Sequence, residues 1–172
     1  MGNMNLDDAL GYFRELVDPN FWDFYREYQE DVEYDRDRLL RVYNKLNNLC
    51  LFCNHLVDKV ASNLNYGHPV DLIKRIKKLY PQEGDALNHI RIFSNDTKHL
   101  PEKENEYECS FRKRTELDRH YPDGHDLPEW VCTRNDGTAF ELCDSAICSY
   151  LFWGKYFAGE RNIPAIQSKK AN

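Results

Sequence analysis

The residues best suited to chemistry lie in one segment, Arg91-Ile92-Phe93-Ser94-Asn95-Asp96-Thr97-Lys98-His99. On a helix, Arg91, Asn95 and His99 stand at i, i+4 and i+8, nearly in line on one face, with Ser94 and Lys98 flanking them. A guanidinium binds a phosphate with a forked pair of donors. An imidazole exchanges a proton near neutral pH. An Asn amide can orient that imidazole or a ribose hydroxyl. Together they make the parts of a metal-independent RNA cleavage site, in which a 2′-hydroxyl is deprotonated, attacks phosphorus, and the leaving 5′-oxygen is protonated. The same residues have a plainer use, since Asn95 and His99 can simply terminate the helix, the imidazole facing its C-terminal dipole.

The segment resembles the HEPN superfamily of small helical-bundle proteins, frequent in bacterial toxin–antitoxin and defence systems. Active members carry Arg, often followed by Asn, then three to five residues and His near a helix end. Asn95 and His99 fit that pattern; Ser94 stands where the family places Arg, and the nearest upstream Arg is Arg91. The resemblance implies a dimer in which two motifs form one ribonuclease site, with His99 as general acid/base, Arg91 and Lys98 on the phosphate and Asn95 orienting, or a degenerate relative without activity. The Asn-x-x-Lys-His helix end is also similar to those of bacterial helical proteins to which no activity attaches.

Cysteine and histidine offer two metal-ligand patterns. Cys50-Leu51-Phe52-Cys53, followed by His55, has CxxC spacing, but both thiols fall on an apolar helical stripe and no second pair exists, so core packing is expected. Cys109, His120, His125 and Cys132 could close a tetrahedral site, but their spacing matches no zinc module, and Cys109 and Cys132 fall on the apolar faces of their strands. No metal or cofactor is expected.

Lys74-Arg75-Ile76-Lys77-Lys78 and Arg112-Lys113-Arg114 are basic clusters in a chain whose net charge is −6, from 23 Lys plus Arg against 29 Asp plus Glu. That balance excludes a generally basic nucleic-acid binder and leaves room for a local phosphate site at Lys74, Arg75, Lys77, Lys78 and Lys98. Phe21, Trp22, Phe24, Tyr25 and Tyr28 form an aromatic run that suits a core or a partner surface.

These residues must be held by elements the pattern predicts. Helical spacing runs from Leu6 to Val17 and is interrupted at Asp18-Pro19-Asn20, before a short aromatic helix. A long helix starts near Asp35 and stops at Asn65-Tyr66-Gly67-His68-Pro69. A short basic helix covers Val70 to Leu79, Pro81 to Gly84 reads as a turn, and Asp85 can cap the helix that carries the Arg91 face and ends near Leu100-Pro101. After that the period changes to two. Tyr107, Cys109 and Phe111 alternate with polar residues, Asn135-Asp136-Gly137 is a hairpin turn, and Thr138 to Leu142 returns as a strand. Asp144 or Ser145 can cap a last helix that Gly159 ends.

The pattern predicts a mainly α (α+β) fold. About five helices form a bundle over 1–160, a small antiparallel sheet is inserted at about 106–143, and 161–172 is a flexible tail. The 172 residues suffice for one core. No export signal or membrane-length apolar run is apparent, so a cytoplasmic chain with free thiols is expected. The expected function is a binding or interaction module, an accessory of a defence or mobile-element system, working as a homodimer or with a protein partner. The alternative is the metal-independent ribonuclease, for which RNA is the partner.

Overall fold

A computed structural model describes residues 6–98, 105–118 and 121–167. Among these residues the chain is mainly helical, with a three-stranded antiparallel sheet placed before the last helix.

The first rod is made of α1 (Ala9–Tyr12), a π turn (Phe13–Val17) and α2 (Asp18–Gln29) without a break. The interruption expected at Asp18-Pro19-Asn20 does not occur. A proline inside a helix loses one hydrogen bond and crowds the preceding turn. The π turn widens the helix just ahead of it, and the Asn20 side-chain amide donates to the Leu16 carbonyl at 2.7 Å. Asp8 caps the start, accepting from Gly11 N–H.

α3 (Arg36–Asn63) is the spine, about 42 Å long at 1.5 Å per residue. Asp35 caps it, accepting from Arg38 N–H at 2.8 Å. Its stripe of Val42, Leu46, Leu49, Cys50, Cys53, Leu56, Val57 and Val60 is fully buried. The stop comes where Asn65 takes φ 60°, with Asn65 N–H donating to Ser62 and Tyr66 N–H to Ala61. That is the left-handed termination the Asn-Tyr-Gly segment favours.

α4 (Pro69–Leu79) and α5 (Pro81–Lys98) are separated by Tyr80 alone. The turn expected over Pro81 to Gly84 is instead the first turn of α5, and Asp85 lies inside that helix rather than capping it. Proline is well suited to a helix start, where its missing N–H costs nothing. Gly84 serves close packing: a Cβ built there would stand 2.3 Å from the Lys77 Cα. α5 packs against α3, α4 and α6 and so forms the centre of the bundle.

The sheet has the order β1 (Asn105–Arg112), β2 (Leu127–Arg134), β3 (Ala139–Glu141). Its inner face lies on α3 and α5 through ring contacts of Tyr43 with Trp130, Phe93 with Tyr107, and His89 with Phe140. Gly137 supplies the positive φ of the β2–β3 hairpin. α6 (Leu142–Phe157) is capped by Glu141, not by Asp144 or Ser145. The Glu141 carboxylate accepts from Cys143 N–H at 3.0 Å, Asp144 N–H at 2.6 Å and Trp130 N–H at 3.0 Å, so the strand end and the helix start share one residue.

Two further expectations change. Cys109 is exposed although its alternation placed it on an apolar face, because β1 is an edge strand; Cys132, on the central strand, is buried. The chain after 160 is docked rather than frayed through residue 166. Ile163 is buried in the core, Ile166 N–H donates to Leu64 C=O at 2.9 Å, and Tyr66 OH donates to Pro164 C=O at 2.9 Å.

Candidate functional site

α5 puts Arg91 and Asn95 on one face, one turn apart, while His99 lies outside the described residues. Arg91 faces α3, where its guanidinium pairs with Asp58 at 3.6 Å. Asn95 and Lys98 are exposed. Ser94 turns into the core and donates to the Cys50 carbonyl at 3.5 Å, so the position next to Asn95 has no route to solvent. Asp96 is held by Tyr107 OH at 2.7 Å and the Asn105 amide at 2.8 Å, which ties the end of α5 to β1.

The expected phosphate cluster divides. Lys74 pairs with Asp71 and Lys77 with Asp85, whereas Arg75 and Lys78 make no ion pair among the described residues. On the amphipathic α4, Leu72, Ile73 and Ile76 are buried and the cations take the solvent side.

No group of three or more His, Cys, Asp or Glu capable of holding a metal forms among the described residues. His120 lies outside them. His125 bonds to Asp31 at 2.8 Å rather than approaching a thiol. Burial raises the Cys53 thiol to about 12 and pushes Cys50 and Cys143 well up, which holds all three protonated and poorly nucleophilic at neutral pH. His68 caps α4 and His55 meets Tyr12 OH at 3.3 Å. His89 stands 3.0 Å from Ser145 Oγ, but that hydroxyl donates to Glu141 C=O at 2.8 Å. Ser145 therefore accepts from His89, the reverse of the polarity a serine nucleophile requires.

The structure builds a different site around the C-terminus of α2. A helix end leaves carbonyls unsatisfied, and cations are favoured there. Arg38 donates to Glu27 C=O at 2.7 Å, and Tyr34 OH to Tyr28 C=O at 3.0 Å. Arg114, buried, donates to Gln29 C=O at 2.9 Å, Glu30 C=O at 3.0 Å and His125 C=O at 2.6 Å. Beside it Arg112 grips Asp118 with bonds of 2.9 and 3.1 Å, and Asp118 also accepts from Gln29 and from Thr115 N–H. Burial raises the Asp118 carboxyl, but these donors outweigh it and hold the group well below the usual carboxylate range.

This frame fixes residues 31–34 beside residues 113–118 and 121–126, and between them opens a groove of about 610 Å³. Phe111 and Tyr34 form its aromatic floor, with ring centroids 6.2 Å apart. The Phe111 side chain is half exposed, and Arg38 stacks over the Tyr34 ring at 4.6 Å. Asp31, Glu33, Asp123 and Asp126 line the groove with Lys113 and His125. Lys113 pairs with Asp126, and His125 donates both its backbone N–H and, when Nδ1 carries a proton, its ring to Asp31. The backbone N–H bond, then the ring bond, lower the Asp31 carboxyl and keep it ionised. Glu33 and Asp123 have no ion pair among the described residues, so the groove carries excess negative charge. Gly124 lets the loop close on Asp31, whose Oδ1 would stand 2.6 Å from any Cβ there.

Sequence reasoning missed this site. The Pro/Gly/Asp-rich stretch before Pro128 was the available signal, because such a loop beside an exposed aromatic strand end is where binding residues collect. The 31–34 segment gave no sign of being its neighbour. No family model matches the chain, and neither does any curated protein or solved structure. No helix among the described residues is long and apolar enough to cross a membrane.

Proposed function

We propose that this protein is an interaction module that binds proteins, and that its groove between residues 31–34 and the loop residues 113 and 123–126 takes a basic segment of a polypeptide partner. The observation that carries this reading is the pairing of an aromatic floor, half-buried Tyr34 and exposed Phe111, with the uncompensated carboxylates of Glu33 and Asp123. Aromatic residues are enriched in interfaces, and an arginine or lysine side chain gains from both a ring face and nearby carboxylates. The Arg112, Arg114 and Arg38 frame beneath holds the floor in place before any partner arrives, which reduces the ordering cost of binding.

Fluorescence anisotropy with a short labelled arginine-rich peptide tests this. Binding is expected at low salt and should weaken as salt rises, since exposed charges are screened over about 10 Å at 0.1 M. The double substitution Glu33→Lys, Asp123→Lys should weaken it about tenfold or more. An unchanged affinity in that variant, or equal affinity for a glutamate-rich peptide, would remove the proposal.

One observation favours a second reading: α5 is continuous through Lys98, so Arg91 and Asn95 do share a face as a ribonuclease motif needs. Against it stand the Asp58 partner of Arg91 and the burial of Ser94. Incubation with single-stranded RNA in a chelator should yield no cleavage that depends on His99. If wild type cleaves and His99→Ala does not, the ribonuclease reading replaces the interaction module.

A further inference from the structure

We infer that the outer edge of β1 docks a second copy of this chain, the two β1 strands pairing antiparallel about Cys109. This surface shares Phe111 with the groove but none of its carboxylates, so it can be tested apart from the groove's binding.

The direction of the β1 backbone follows from its neighbours. Trp130 N–H donates to the Glu141 carboxylate and Arg134 N–H to Thr138 C=O, so the even-numbered residues of β2 turn toward β3. In an antiparallel ladder opposed residues either exchange both bonds or none. The register partners of those even residues, Asn105, Tyr107, Cys109 and Phe111, therefore turn N–H and C=O away from β2. Pro128, which has no N–H to offer, stands opposite Phe111 in keeping with this. Among the described residues nothing bonds these outward groups.

Natural sheets protect such edges with short strands, charged side chains (lysine above all), prolines, bulges or a covering element. Over its eight residues β1 has no proline, lysine or bulge and its register against β2 is unbroken; its charges, Glu106, Glu108 and Arg112, all lie at even positions. β3, at the opposite edge, is only three residues long. β1 is thus the edge able to accept a strand.

Its own sequence is the complement. The outward groups lie at odd positions, so pairing must place odd positions opposite odd ones. Centred on Glu108, two carboxylates would meet, which is unfavourable across a strand pair. Centred on Ser110, only residues 108–112 would overlap. Centred on Cys109, residues 106–112 all pair: Tyr107 lies opposite Phe111 of the second copy, Glu108 opposite Ser110, Cys109 opposite Cys109, and Glu106 opposite Arg112, whose guanidinium stays on its own Asp118. Three exchanging pairs supply about six backbone hydrogen bonds, and the two three-stranded sheets become one. The second copy also sets its Tyr107 beside Phe111, adding an aromatic residue to the rim of the groove.

Analytical ultracentrifugation of the full chain should find a dimer of twice the 20.5 kDa monomer mass. Its Tyr107, Cys109 and Phe111 amides should be protected from hydrogen exchange. Diamide, which oxidises two thiols to a disulfide as it is reduced to its hydrazine, should trap a covalent dimer in the wild type. Cys109→Ser should lose the covalent link and keep the dimer. Cys109→Lys, at an exposed position that folding tolerates, should weaken association about tenfold or more by opposing two ammonium groups. Glu33→Lys, Asp123→Lys should dimerise as wild type does, so loss of peptide binding and loss of self-association are read apart. A monomer at ~100 µM overturns the inference whether its β1 amides exchange freely, are protected by its own chain, or become protected only on adding a foreign strand peptide. A dimer indifferent to Cys109→Lys, or one with freely exchanging β1 amides, overturns it too.

Discussion

Gly84→Ala is expected to destabilise the protein by about 3 kcal/mol, near the upper end for overpacking. The added methyl would stand 2.3 Å from Lys77 Cα, 2.5 Å from Lys77 N and 2.5 Å from its Cβ, distances that real Cβ atoms do not show. The atoms in the way are mainly backbone of α4, so no rotamer change relieves the clash; α4 and α5 must separate. That separation would loosen Leu72, Ile73 and Ile76 on one helix and Leu87 and Ile90 on the other, all buried. For a chain of this size each kcal/mol shifts Tm by roughly 2–4 °C, so a drop of about 6–12 °C should appear in a thermal scan. Gly67→Ala is the matched control, because nothing lies within 4 Å of a Cβ there and the residue is exposed. A Gly84→Ala protein as stable as the Gly67→Ala control would mean that α4 and α5 do not approach so closely.

Asp118→Ala is expected to cost about 3 kcal/mol, because breaking a buried ion pair leaves its partner with lost bonds and little water. Arg112 would lose both hydrogen bonds to the carboxylate, and Thr115 N–H and the Gln29 amide one each. Arg112 is about a quarter exposed, which keeps the cost at the lower end of the buried range. The same pair gives a pH signature with a definite sign. The folded Asp118 pKa lies below its unfolded value of about 3.9. Its contribution is therefore complete above the unfolded pKa and is lost as pH falls toward the folded one. Urea midpoints measured from about pH 5 down to pH 2 should fall more steeply for wild type than for Asp118→Asn, which has no proton to take up. Parallel pH profiles would show that Asp118 is not held ionised by its neighbours. Loss of this clamp should also weaken peptide binding, since Arg112 and Arg114 hold the loop that walls the groove.

Much of the scaffold was legible because it rests on local rules. The stripe from Val42 to Val60 repeats at three and four, and only one helical face satisfies it. Asp35 before it and Asn65 after it are short-range signals whose hydrogen bonds close within a turn. The β1–β2–β3 sheet followed from period-two alternation and the Asp136-Gly137 turn. Errors arose where the same residue type serves two purposes. Pro81 and Gly84 read as a turn, yet one begins a helix and the other allows a helix crossing. Pro19 read as a break, yet a π turn accommodates it. Glu141 caps α6 although Ser and Asp are the commoner choice, and the bond from Trp130 that fixes it comes from eleven residues away.

The candidate site was less legible. The motif residues Arg91 and Asn95 share a face as their spacing required, but spacing could not show that Asp58 faces Arg91 from another helix. The Gln29, Arg114 and Asp118 network joins residues separated by 85 and 89 positions, and no periodicity links them. By itself the sequence determined most of the helices and strands, the apolar stripe of α3 and an acidic net charge of −6. Only the tertiary structure decided which charges are spent on one another and which remain. Burial faces obey a period, whereas an ion pair depends on a distance, and distances between remote segments exist only after the core has packed.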